Sequence, residues 1–345
     1  MLKQSMSGIS EDIPVLRLGL AGFTTSEQAS LTTAMALRAA RGQIVWQAAA
    51  LGEADAWCVN GSRVQRLPDG SLRIVPGLPS GRSIRISPAD IDWPMAFSTP
   101  LGSPEFRPAC AFQLEDPGSI DSVLKQLESW LRPLRVQFYL ASQVVEEGLN
   151  LHSGVFHVNV KGRLCAVVGR RSGIGVLPDA EPADLRKGVW SHRSERTEPI
   201  PGHFVRTDFS ELMWQYATRT MRDCLPPHYR TRRLFLRRPP RVPMRLLTDP
   251  SLLLVRELAS GPASLAELAQ CTGMADRQLS RHLGALYMVG AITADPRRAP
   301  APQPVAVRPG VDWSSFRSSA GAGAHAVPEM TVKLTVSPKG PAPPG

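Results

Sequence analysis

The stretch from residue 248 to residue 292 constrains the fold most, because it has the spacing of three short helices in succession. Residues 249–250, Asp-Pro, predict a cap followed by proline at the first helical position. Ser264 and Glu267 predict a capping box at the second helix, and Gly273 predicts its end. Apolar residues at helical spacing predict the buried faces: Leu252, Leu253, Val255, Leu258, Leu265, Leu268, Ala269, Leu279, Leu283 and Leu286.

The third of these helices is predicted to have a basic outward face. Counting about 100° per residue from Leu279 predicts a face of Arg277, Arg281, Gly284 and Met288, with Gln278 and Ser280 on its flanks. Arg277 and Arg281 are four residues apart, so their like charges weaken an isolated helix, and an anionic partner would remove that cost. His282 lies toward the core side, so we expect it to pack rather than to bind a metal.

The sequence LSRHLGALYMVGAI within this stretch resembles the recognition helix and its exit in the winged-helix domains of small bacterial repressors. The resemblance implies that the third helix enters the DNA major groove. It also implies base contacts by Arg277, Gln278, Ser280 and Arg281. Ala275 stands where that family usually has a capping Ser or Thr, and no second strand follows Ile292, so we expect a stunted wing. Because wingless trihelical modules often dock proteins, a protein partner remains as open as DNA.

A dense arginine run precedes the three helices. Seven arginines fall within sixteen residues that contain no acid: Arg230, Arg232, Arg233, Arg237, Arg238, Arg241 and Arg245. Together with the net charge of +10, the run favours an anionic partner. Arg237, Arg238 and Arg241 are the predicted phosphate contacts on DNA. The same run could instead bind a nucleotide second messenger, form a solvated basic linker, or pair with acids of the preceding domain.

The N-terminal part has the pattern of an open α/β sheet. Strand-like runs cover residues 15–23, 43–50 and 54–59, and a helix is predicted from residue 24 to residue 40. The order resembles the first half of a receiver domain of two-component signalling. That family has an acidic pair after the first strand and an aspartate after the third, whereas this chain has Gly22, Phe23 and Asn60 there. The resemblance therefore implies a degenerate receiver without a Mg²⁺ site or a phosphoryl acceptor. An unrelated small α/β domain is the alternative.

The middle of the chain is predicted to form a second α+β unit. A hairpin is expected in it at residues 161–162, and helices at residues 120–131, 134–147 and 208–224. Before this unit, in the receiver-like part, another hairpin is expected at residues 69–70. The four prolines between residues 94 and 108 favour a linker or irregular cover there. Residues 169–175, GRRSGIG, lack the order of a phosphate-binding P-loop, so they predict a turn with weak anion-binding potential from Arg170 and Arg171.

No catalytic or metal-binding pattern is found in the sequence. Neither residues 191–192, Ser-His, nor residues 208–210, Asp-Phe-Ser, belong to a recognisable hydrolytic triad. The five cysteines are far apart and form no C-x-x-C pair, which argues against a zinc site and fits a reducing compartment. We therefore predict no catalytic residues, no metal and no cofactor. No apolar run approaches the length of a membrane span.

Together these patterns predict an α+β multidomain, non-enzymatic, cytoplasmic regulatory protein. The predicted division is a flexible arm (1–12), a receiver-like α/β domain (13–108), a central α+β domain (109–229), an Arg/Pro-rich connector (230–247), a trihelical winged-helix-like module (248–295) and a disordered tail (296–345). The leading hypothesis is a DNA-binding transcriptional regulator. The alternative is a signalling adaptor whose module docks a protein or whose arginines bind a nucleotide second messenger.

Overall fold

A computed structural model describes residues 12–41, 44–79, 81–87, 93–102, 106–146, 154–169, 173–193 and 200–299, and the backbone of residues 330–331. Its fold is mixed α/β with a parallel sheet, an antiparallel sheet, a smaller mixed sheet, a two-stranded ribbon and a group of three helices. Apart from Asp12, the arm predicted for residues 1–12 lies outside the described residues. So does the tail predicted for residues 296–345, except for residues 296–299 and the strand β16, Met330–Thr331, which pairs in parallel with residues 84–85.

A five-stranded parallel sheet forms the N-terminal part of the fold. Its strand order is β2-β1-β3-β7-β8, which is 2-1-3-4-5 when only its own strands are counted, a common order of doubly wound sheets. Two helices pack on the sheet through buried apolar side chains. The elements are β1 Val15–Ala21, α1 Thr25–Arg41, β2 Val45–Ala49, β3 Ala56–Val59, β7 Met95–Thr99, β8 Ala111–Gln113 and α2 Pro117–Trp130.

The strand β7 occupies part of the region for which proline content predicted a linker or irregular cover, so that interpretation is wrong for residues 95–99. The described residues 100–102 and 106–108 are irregular, as predicted. Five residues fit between Pro94 and Pro100, and the two prolines bound the strand without interrupting it. The strand β7 pairs in parallel with both β3 and β8. The strand β8 and the helix α2, which the sequence division assigned to the central unit, share a core with Leu16 and Leu18 of β1.

Three antiparallel strands follow β3 and pack on the face of the parallel sheet opposite to α1 and α2. The predicted hairpin at residues 69–70 is confirmed, with Gly70 at φ 81° in the tight turn. Phe97 of β7 and Trp57 of β3 pack into the same apolar cluster as these strands. The strands are β4 Val64–Arg66, β5 Leu72–Ile74 and β6 Ile84–Ile86.

The second five-stranded sheet is antiparallel, with the order β12-β9-β10-β11-β13. Its central hairpin is the predicted one, where Lys161 has φ 48° and Gly162 has φ 81°. Helices cover one face, and Asp208 caps the last of them by accepting a hydrogen bond from the Glu211 amide at 2.7 Å. The elements are α3 Arg132–Glu146, β9 Val155–Val160, β10 Arg163–Gly169, β11 Gly173–Val176, α4 Pro182–Arg186, β12 Val189–Arg193, β13 Val205–Thr207 and α5 Phe209–Arg219.

The third core belongs to the predicted trihelical stretch. The capping box of Ser264 and Glu267 is confirmed, and Gly273 is left-handed at φ 67°. The first helix begins at Asp249 with Thr248 as its cap residue, so the prediction of a cap at Asp249 is wrong by one position. The elements are α6 Pro227–Thr231, β14 Phe235–Leu236, α7 Asp249–Ser260, α8 Leu265–Thr272, α9 Asp276–Met288 and β15 Ile292–Thr293.

The arginine-rich connector is folded onto this core. The strand β14 pairs antiparallel with β15, and Leu234 forms a backbone bridge with Ala263. Leu234 is fully buried, and Leu236 packs against the same core. Leucines therefore face inward and the flanking arginines are exposed in this segment, and the partner of β15 comes from the chain before the helices.

Candidate functional site

The helix α9 is buried along most of its length. One side packs in the trihelical core, and another packs on α5 and the loop that follows it. The predicted outward position of Gly284 is wrong, because a Cβ at Gly284 would lie 3.2 Å from the Cβ of Cys224. Met288, also predicted to be outward, is half-buried and packs against the core of the second five-stranded sheet. The buried residues of α9 are Leu279, Ser280, His282, Leu283, Gly284, Ala285 and Leu286.

The four predicted base-contacting residues do not share one open surface. Arg277 and Gln278 are exposed in the first turn of α9, whereas Arg281 is half-buried. Ser280 is only 8% exposed, and its hydroxyl has no hydrogen-bond partner among the described residues. Only the first turn of the helix is therefore open to a large partner.

His282 packs as predicted. It is 5% exposed, and its Nδ1 lies 3.0 Å from the hydroxyl of Ser251 on α7. Burial, followed by the positive charges of Arg17 and Arg281, lowers the pKa of His282 to about 4. The imidazole is therefore neutral at pH 7 and belongs to the packing of α9.

The predicted phosphate contacts Arg237, Arg238 and Arg241 are exposed. The backbone amides of Arg237 and Arg238 donate to the carbonyl of Ala291, and the guanidinium of Arg238 donates to the carbonyl of Val289 at 3.1 Å. Arg237 and Arg238 are thus anchored at the C-terminal end of α9. Val289 is eight positions after Arg281, which corresponds to about 12 Å along the helix, so the two arginine groups lie at opposite ends of α9.

Acidic side chains neutralise part of the arginine run. Arg230 pairs with Asp223, Arg233 with Glu267 and Arg245 with Glu211. Within the described ranges, no acid pairs with the remaining members of the run, which are Arg232, Arg237, Arg238 and Arg241. Pairing with acids was one of the open alternatives, and it accounts for three of the seven arginines.

A cleft of about 270 Å³ lies between the N-terminal half of α9 and the loop after α5. Arg277, Arg281 and Ser280 line it from α9, and Arg222 lines it from the loop. The guanidinium of Arg222 is held by Glu146 at 3.1 Å. Burial and then the charge of Arg277 lower the pKa of Arg281. No acid in the described part of the chain forms a salt bridge with Arg277 or Arg281, although Asp276 also lines the cleft.

Buried ionic contacts connect α5 to the parallel sheet. Asp55 pairs with Arg219 of α5 and accepts a hydrogen bond from the backbone amide of Arg17 at 2.9 Å. The guanidinium of Arg17 donates to the carbonyl of Thr218, so β1 also contacts α5. Asp12 accepts hydrogen bonds from Tyr216 at 2.7 Å and from Thr220. The sequence contained one signal of this contact, which is the arginine at position 17 inside an apolar strand.

At the C-terminal edge of the parallel sheet, the positions that hold acids in receiver domains carry no acidic side chain in this chain. Asn60 follows β3 and is buried, and its side-chain amide donates to Glu27 at 3.2 Å while its oxygen accepts from Ser62. The other oxygen of Glu27 accepts from the backbone amide of Thr24. Across the described ranges, no three His, Cys, Asp or Glu side chains come together as a group that could bind a metal.

No protein-family model, curated protein or solved structure matches this chain. In the part of the chain that the structure describes, no helix is both long enough and apolar enough to cross a membrane.

Proposed function

We propose that this chain is a non-enzymatic regulatory protein of the signalling-adaptor type. It has a sheet resembling a degenerate receiver, a central α+β unit, and a winged-helix-like module that docks on the central unit through α9. The burial of α9 beyond its first turn supports this proposal more than any other observation. A recognition helix needs one face free to enter a groove, and here that face packs on α5 and on residues Cys224 and Leu225.

The parallel sheet supports an adaptor that acts without phosphoryl transfer. Its strand order is that of flavodoxin-like sheets, to which receivers belong. An amide, Asn60, takes the position of the phosphoryl acceptor and is bonded to Glu27 and Ser62. Because Asp55 and Arg17 contact α5, and α5 contacts α9, a change at the sheet would reach the module through packed elements.

A protein partner is the expected target of the docked module. The outer side of α8 is exposed, and Leu252 at the start of α7 is 39% exposed. These surfaces stay available while α9 is docked, so partner binding does not require the module to leave α5.

DNA contact through the connector is the second candidate. Arg237, Arg238 and Arg241 are exposed on one short segment, and no described acid pairs with them. Arginines of this kind bind phosphates without reading sequence, and their affinity falls steeply with salt. This candidate requires the arginines of the connector, whereas groove reading by α9 would require the arginines of that helix.

Fluorescence anisotropy of the full chain with random duplex DNA separates these functions. Arg277→Glu on α9 and Arg238→Glu on the connector each change the charge by the same amount, so they form a matched pair. The adaptor proposal predicts that any affinity is weak and salt-dependent and is reduced by Arg238→Glu only. Absence of DNA binding also agrees with the adaptor and removes the second candidate. Tight, sequence-selective binding that Arg277→Glu abolishes would overturn the proposal.

A further inference from the structure

The cleft at the N-terminal half of α9 has a cationic lining that the chain does not neutralise. Arg277 is exposed and Arg281 is half-buried, and they are one helical turn apart on the same side. Like charges at this spacing destabilise a helix unless an anion lies between them. Arg281 also shares its surroundings with Arg17, whose own pKa is lowered to about 10 by burial, by Arg219 and, to a smaller extent, by Arg281.

Ser280 provides an independent indication of a ligand. It lines the cleft, is 8% exposed, and its hydroxyl oxygen has no hydrogen-bond partner in the described part of the chain. Leaving a buried hydroxyl without a partner costs about 1–3 kcal/mol. An acceptor oxygen from a ligand would satisfy this hydroxyl between the two arginines.

The other charged groups of the cleft either form salt bridges or are stabilised by their position on the helix. Arg230 pairs with Asp223, and Arg222 pairs with Glu146. Asp276 is the first residue of α9, where the helix dipole stabilises a negative charge. Arg277 and Arg281 are therefore the cations available to a ligand, and Asp276 would weaken the binding of an anion.

We propose that this cleft binds the phosphate group of a small phosphomonoester through Arg277, Arg281 and the hydroxyl of Ser280. Guanidinium groups form short, charge-assisted hydrogen bonds with phosphate, which also accepts from hydroxyls. The volume of about 270 Å³ lies below the range of about 300–1,000 Å³ for drug-sized ligands. The enclosed part of the cleft therefore fits a group of mononucleotide size or smaller.

The inference deepens the proposed function and rests on it for the docked position of α9. A ligand in this cleft would touch both α9 and the loop after α5, so it would stabilise the docked module. The phosphomonoester would then be the signal to which the adaptor responds.

Isothermal titration of the full chain at low salt with 5′-AMP tests the proposal, with adenosine as the uncharged control. We expect 5′-AMP to bind and adenosine not to bind. Arg277→Gln and Arg281→Gln should each weaken binding by about tenfold or more, as expected for the loss of a charged hydrogen bond. Asp276→Asn should tighten binding, and Arg237→Gln at the other end of α9 should leave it unchanged.

Several results would overturn this inference. They are the absence of 5′-AMP binding, equal binding of adenosine, unchanged affinity in Arg277→Gln, or tighter binding of a cyclic dinucleotide than of 5′-AMP. Arg277 is exposed, so its substitution leaves the packing intact, and thermal unfolding without ligand checks this for each variant. If α9 contacts α5 in a cross-linking test but no phosphate ester binds, only this inference fails. If α9 does not contact α5, the proposed function fails as well.

Discussion

Replacing Gly284 with leucine tests the packing of α9, because the two possible environments predict opposite signs. In the structure, a Cβ at Gly284 would lie 3.2 Å from the Cβ of Cys224 and 3.5 Å from the amide nitrogen of Leu225. Favourable carbon–carbon contacts begin at about 3.5 Å, so Gly284→Leu overpacks the contact between α9 and the loop after α5. Overpacking of this kind costs about 1–3 kcal/mol.

On an exposed helix face the same substitution would stabilise the chain. Leucine has a helix propensity about 1 kcal/mol more favourable than that of glycine. Urea unfolding followed by circular dichroism measures the difference, with Gln278→Leu in the exposed first turn of α9 as the matched control. We expect a lower free energy of unfolding for Gly284→Leu and a change within about 0.5 kcal/mol for the control. A stability increase in Gly284→Leu would refute the docked position of α9.

Two further predictions concern buried ionisable groups. The pKa of His282 is about 4, below its ordinary value of 6.5, so between these values the unfolded chain binds more protons than the native chain. The free energy of unfolding should therefore fall as pH drops from about 6.5 toward 4, by about 2 kcal/mol at pH 5. This part of the pH dependence should disappear in His282→Gln. An identical pH dependence in the variant would contradict the burial of the imidazole. Asp55→Ala leaves Arg219 buried without its partner, where the two side chains are 7% and 9% exposed, and should lower the free energy of unfolding by about 3–5 kcal/mol. Glu257→Ala, which breaks the exposed pair with Arg256, should cost less than about 1 kcal/mol, and equal losses in the two variants would count against a structural role for Asp55.

Local sequence signals predicted those parts of the fold that depend on neighbouring residues. The capping box at Ser264, the left-handed Gly273 and the hairpins at residues 69–70 and 161–162 were all found where the sequence placed them. Each depends on the conformational preference or hydrogen bonding of a few consecutive residues. Such features need no information about distant parts of the chain.

The errors came from contacts between distant segments. The strand β7 is short and lies between prolines, and only its pairing with β3 and β8 identifies it as a strand. The periodicity of α9 predicted its apolar stripe correctly but could not show that α5 covers the opposite side. Gly284 was predicted to face outward from its position in the helical periodicity, whereas its small size permits close contact with Cys224. The sequence predicted the unpaired arginines of the cleft as binding residues, but it did not predict the cleft that they line.

Disulfide formation between position 284 and the native Cys224 tests the contact between α9 and the loop after α5 most directly. The Cβ separation of 3.2 Å is within a few tenths of an ångström of the range of about 3.5–4.5 Å found in disulfides. In Gly284→Cys, mild oxidation should therefore produce an intrachain bond to Cys224, detected as a linked peptide that disappears on reduction. Gln278→Cys, in the exposed first turn, should form no such bond. Absence of the bond in oxidised Gly284→Cys, or equal linkage in Gln278→Cys, would contradict the account.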